Sequence, residues 1–154
     1  MKAFLLSLSV SCLCLDCDLL KTKTVPVKLP WIKMQKSIGE YRRHYINKPV
    51  LVLFSATWDA TGIIPKMSLE QRQNAKVLKK HQVILIHADL TQKDVLLWNE
   101  LKKYSKIPSP PLMFIFPANS YTKHPIPCWG LETISDQQPY FDYRTILNKE
   151  LSSQ

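Results

Sequence analysis

Glycine is almost missing from this chain of 154 residues, which has three. Loops that cradle phosphate need several glycines within a few positions, so that backbone can approach the ligand, and none is built here. No G-x-S-x-G turn is present, and no pair of carboxylates stands at a spacing that argues for acid–base catalysis. The four histidines, His44, His81, His87 and His124, show no metal-ligand spacing with Cys128 or with one another. Neither a metal nor a cofactor is expected. Acidic residues are also in the minority, 12 against 21 basic, for a net charge of +9. The basic residues are spread along the chain, with only short clusters such as Lys76–Lys80, so they read as a solvated surface and no nucleic-acid partner is expected. The apolar run from Ala3 to Leu15 falls short of the roughly 20 residues that span a bilayer. Repeats and low-complexity segments are absent. What remains is the composition of one globular domain with a sizeable core.

The N-terminal stretch "MKAFLLSLSVSCLCLDCD" has one lysine, an apolar run and then acid, the layout of a compact signal peptide. Ser9, Val10 and Ser11 allow cleavage before Cys12. The other reading is a buried first strand or helix. Cys12, Cys14 and Cys17 form C-x-C-x-x-C, which lacks the second half of a zinc site. A lipid on Cys12 would tether the protein to a membrane, although Leu8 stands one place earlier than a bacterial lipobox has its leucine. The expected organisation is a signal peptide or lipoprotein leader over 1–18, a linker or edge segment over 19–30, and a single domain over 31–154. Export follows, to the periplasm or to a membrane anchor facing it, with an endoplasmic reticulum lumen as the alternative. Cys128 would then be the one thiol left in the domain.

Trp31, Met34, Ile38, Tyr41 and Tyr45 recur at three or four residues and predict one helix face. Pro49 bars helix at Lys48. "VLVLF" then reads as a strand buried on both faces. Ser68, with Gln71 three residues on, predicts the cap of a second helix running to about Lys80. "QVILIHADL" is a second buried strand, with His87 a satisfied core residue within it. Thr91 with Asp94 predicts the cap of a third helix carrying Leu97, Trp98, Leu101 and Tyr104 inward. "LMFIF" is a third strand, and a short fourth follows around Ile126 to Leu131. A last helix starts at Asp142, with Phe141 and Ile146 as its hydrophobic staple. Strands separated by helices pair in parallel, and the last two, joined by a loop, pair antiparallel.

This order and these local stretches resemble the thioredoxin fold, and in particular the thioredoxin-like domain that ends the DsbD family of thiol-disulfide interchange proteins. "KPVLVLFSATW" is similar to the strand that leads into the family's redox motif. "VILIHADLTQKD" resembles the next strand and its turn, and "PLMFIF" the strand after the cis-proline. The resemblance covers about Met34 to Leu151. It implies an α/β thioredoxin-like domain, a mixed sheet of about four strands flanked by helices.

The family's chemistry uses W-C-x-x-C at the head of a helix, where the helix N-terminus favours the thiolate and the second cysteine resolves the mixed disulfide. The matching segment here is "WDATG", with Asp59 and Gly62 in the two cysteine positions. The acidic residue that serves the buried thiol from the preceding strand is replaced by Leu53. The resemblance therefore implies a relative without CxxC. No catalytic residue is expected, and the candidate binding residues are Trp58, Asp59, Pro110 and Pro111. Asp59 is read either as a cap near a helix start or as a binding carboxylate. On the alignment Pro111 is the cis-proline, and Pro110 before it has no N–H for a substrate backbone. With Pro110 as the cis residue instead, Ser109 would donate. The expected function is a non-catalytic binding or scaffold module for a protein or peptide partner. The alternative is a thiol-disulfide interchange protein, reductase or isomerase, working through Cys128.

Overall fold

The computed structural model describes residues 26–59, 61–119, 125–128 and 143–152. The expected leader with Cys12, together with His124, Phe141 and Asp142, lies outside the described residues.

The sheet grows from two strands, β2 (Val50–Ser55) and β3 (Ile84–Asp89), which pair in parallel from Val50 opposite Ile84 to Ser55 opposite Asp89. Every residue of β2 is buried. Side chains alternate across a strand, so the run serves two cores. Val50, Val52 and Phe54 join Ile86, Ala88, Leu97, Leu101 and Phe114 on one face. Leu51 and Leu53 join Leu69, Leu78, Met113, Tyr143 and Leu147 on the other. β4 (Leu112–Phe116) runs antiparallel on the far side of β2, and β5 (Ile126–Pro127) antiparallel on β4.

One expectation is corrected at the first helix. Its N-terminal half is strand: β1 (Ile32–Lys33) pairs in parallel with β3, and Met34 N–H extends the ladder to His87 O at 2.8 Å. Helix α1 spans only Ile38–His44. Ser37 starts it with a full capping box, its Oγ accepting from Glu40 N while Glu40 Oε2 accepts from Ser37 N. The helical spacing held because Met34 and Ile38 still reach the same core. Among the described residues the sheet therefore has five strands where about four were expected, in the order β1-β3-β2-β4-β5. A parallel centre, an antiparallel ribbon at one side and helices on both faces make this a thioredoxin-like fold.

The other caps shift as well. Helix α2 (Ile63–Leu69) begins before Ser68, whose hydroxyl donates back to Ile64 O at 2.7 Å. Gln71 precedes α3 (Arg72–Lys80) without a side-chain cap. Helix α4 (Val95–Tyr104) is capped by Asp94, whose Oδ1 accepts from Leu96 N and Leu97 N. Thr91 instead donates its hydroxyl to Asp89. Helix α5 covers Arg144–Ser152.

Two buried polar residues join elements. Glu100 of α4 accepts from Ile38 N at 3.1 Å at the start of α1, and its other oxygen accepts from Lys103. Asn74 of α3 donates to Ser68 O at 2.7 Å and accepts from Tyr143 N at 3.2 Å, fixing the entry to α5. The packed unit also takes in residues before 31, since Leu29 is buried and Val27 N donates to Glu70 O at 2.7 Å.

Candidate functional site

Parallel strands of an open sheet aim their C-terminal ends at one rim, where α/β proteins commonly place ligands. Here the rim carries the loop after β2 and the polar end of β3. The loop is tight. Asp59 N donates to Ala56 O at 3.2 Å and Gly62 N to Asp59 O at 3.0 Å. Asp59 Oδ1 accepts from Thr61 N at 2.9 Å and from Thr61 Oγ1 at 2.7 Å. The carboxylate thus closes a local turn three residues ahead of Gly62. Trp58, just before it, and Ile63, the first residue of α2, are each 60% exposed.

Gly62 is buried, with an ordinary helical φ of −62°. Its requirement for glycine is spatial: a Cβ there would lie 2.8 Å from Ala56 O and 3.2 Å from Asp59 O, both backbone atoms. A side chain at Gly62 would therefore press on main-chain atoms that no rotamer change can move aside.

Behind the loop lies a cavity of about 370 Å³ lined by Ser55, Asp59, Lys66, His87 and Asp89 among others. Ser55 Oγ and His87 Nε2 are 2.8 Å apart. His87 stands opposite Leu53 in the ladder. Burial, and then the charge of Lys66, hold the imidazole below its ordinary value, against a smaller pull upward from Asp89. Trp31 meets the His87 ring edge-on at 6.2 Å and carries Lys66 over its own face at 5.8 Å. Asp89 is held below its ordinary value chiefly by the hydrogen bond from the Thr91 side chain. Sequence reasoning treated His87 as a core residue only. Its pairing with Ser55 spans 32 positions, but the shared strand face of Leu53 and Ser55, and of His87 and Asp89, was readable from period two.

The proline loop lies elsewhere. The cis peptide joins Pro110 to Pro111, so Pro111 is the cis residue. Both prolines line a separate, larger cavity of about 830 Å³ with Tyr104, Ile107, Leu112 and Phe114. Asp59 and Gly62 share one cavity and the prolines share another; among the described residues no lining residue is common to the two. Cys128, the one cysteine among the described residues, is 1% exposed at the end of β5, and its thiol donates to Ile126 O at 3.6 Å. Among the described residues no group of three or more His, Cys, Asp or Glu could hold a metal, and no helix is long and apolar enough to cross a membrane.

No family model matches the chain, and neither does any curated protein. Among solved structures it is similar to the thioredoxin of Malassezia sympodialis known as Mala s 13, at 15% identity over 84% of this chain and 93% of that one, with a TM-score of 0.47. It is also similar to a thioredoxin from Thermus thermophilus, at 13% identity over 81% of this chain and 85% of that one, with a TM-score of 0.45. The fold assignment rests on strand order and direction, not on these scores.

Proposed function

We propose that this chain is a thioredoxin-like module without thiol-disulfide exchange, which uses Trp58, Asp59 and Ile63 at the sheet rim to engage a protein or peptide partner. The carrying observation is Gly62. A resolving thiol needs a Cβ, and that atom would lie only 2.8 Å from Ala56 O and 3.2 Å from Asp59 O, both backbone atoms. Two large apolar side chains exposed beside this closed turn are the kind of surface that a partner covers. Pro110 and Pro111 offer no N–H, so partner contacts at that loop are with ring faces and carbonyls. Descent from a DsbD-type domain, export and a tether through Cys12 belong to the same proposal and rest on the sequence stretches quoted above.

The alternative of exchange through Cys128 is disfavoured by burial. A thiol enclosed in apolar surroundings is inert, and a single thiol cannot resolve a mixed disulfide. The test is insulin reduction with dithiothreitol, wild type against Cys128→Ser. Equal rates at the uncatalysed level are expected. Turnover in the wild type that Cys128→Ser abolishes would overturn the non-catalytic reading.

A further inference from the structure

The 830 Å³ cavity beside the proline loop shares no described lining residue with the cavity behind the Asp59 turn. Its size falls within the roughly 300–1,000 Å³ of small-molecule sites. Its walls are Tyr104 from the end of α4, Ile107, Leu112 and Phe114 from β4, and four prolines, Pro110, Pro111, Pro125 and Pro127. Tyr104 is half-buried there, and loss of solvent pushes its hydroxyl above the ordinary tyrosine value.

The prolines narrow the class of occupant. A peptide laid along a strand is held by main-chain N–H and C=O groups in alternation. At each proline the wall has a carbonyl and no donor. Pro127 is moreover already opposite Phe114 in the ladder. The groove therefore suits an apolar body better than a peptide backbone. Its charge narrows the class again. Among the described residues two lysines line it, Lys103 and Lys106, and no carboxylate does. Lys103 is committed to Glu100. Lys106 stands exposed at the rim next to Ile107, which is 78% exposed, the most of any large hydrophobic residue described.

We propose that this groove binds an anionic amphiphile, an acyl chain with a carboxylate head, the chain lying against Ile107, Phe114 and the prolines and the head at Lys106. The carboxylate takes a charge-assisted hydrogen bond from the ammonium, and the chain removes Ile107 from water.

The experiment titrates the full chain with dodecanoate below its micellar concentration, using displacement of a fluorescent fatty acid as readout. Saturable one-to-one binding is expected, with dodecanol and dodecyltrimethylammonium each at least about tenfold weaker, a difference of about 1.4 kcal/mol. Lys106→Glu and Ile107→Asp change exposed side chains, so the fold survives, which circular dichroism checks. Each should weaken dodecanoate about tenfold or more, while Trp58→Ala leaves it unchanged. Absence of saturable binding overturns the proposal. So does equal affinity for the cationic detergent, or affinity untouched by both groove variants. Displacement of the probe by an acidic peptide more readily than by dodecanoate would give the groove to a protein and overturn it too.

Discussion

The carbonyl oxygen of Ala56 lies 2.8 Å from the point that a Cβ on Gly62 would occupy. Both ends of that contact are main chain, so no rotamer change relieves it. Gly62→Ala should destabilise by about 1–3 kcal/mol, as overpacking does. Urea unfolding measures it. Asp59→Cys, at a half-buried position, should cost less. The double change Asp59→Cys with Gly62→Cys, which writes W-C-x-x-C into the sequence, should unfold more readily than wild type and stay poor in insulin reduction. A stable, active double variant would show that the loop opens freely.

Asp59 holds its turn through one oxygen. Asparagine can offer the same acceptor to Thr61 N, and alanine cannot. Asp59→Asn should keep near-native stability, and Asp59→Ala should lose about 0.5–1.5 kcal/mol, the usual net worth of such a bond. Pull-down with both variants at equal folded fraction then tests the charge: a partner already lost with Asn, which keeps the turn, identifies binding by the carboxylate.

Glu100 is 3% exposed and accepts from Ile38 N at the start of another helix. Glu100→Ala leaves that N–H without its acceptor and Lys103 without its carboxylate. A loss of about 2–4 kcal/mol in thermal or urea unfolding is expected, with Glu100→Gln recovering part of it.

His87 resists protonation in the folded protein, because of burial and Lys66. The unfolded chain takes that proton first, near the ordinary histidine value of about 6.5. Stability should fall as pH drops below about 6.5 and level off once the folded imidazole is also charged. His87→Gln should flatten this part of the profile. The Asp89 contribution is lost only lower, as pH falls through the depressed carboxylate value. Urea midpoints between pH 7.5 and pH 5 separate wild type from His87→Gln.

Cys128 should alkylate with iodoacetamide roughly a hundredfold or more slower in the native protein than in urea, because modification waits for local opening. Mass spectrometry over time measures it. Rapid native labelling would return the thiol to consideration as a reactive group.

The parts of this fold that local pattern could reach were the strands. "VLVLF" and "LMFIF" are apolar at every position because each feeds both faces of the sheet. The helix starts were harder. Trp31, Met34 and Ile38 share a spacing with a helix, yet pairing with β3 claims Ile32, Lys33 and the N–H of Met34, and the Ser37–Glu40 capping box that marks the true start was written in the sequence. The resemblance of "WDATG" to a W-C-x-x-C segment was legible, but the crowding around Gly62 was not, because it depends on where the Ala56 carbonyl points. The Ser55–His87 pair needed the register of β2 against β3, a long-range quantity that periodicity alone leaves open.

Thr57 N donates to Thr91 Oγ1 at 3.0 Å, and Thr91 in turn is held by Asp89. The turn after β2 is therefore fastened to the turn after β3. Anyone transplanting the rim onto another scaffold would have to move two discontinuous segments together, 55–63 and 87–91, as a matched cassette. A graft of the first segment alone would leave Thr57 N–H without its acceptor, and the presented Trp58 would adopt whatever angle the host allowed.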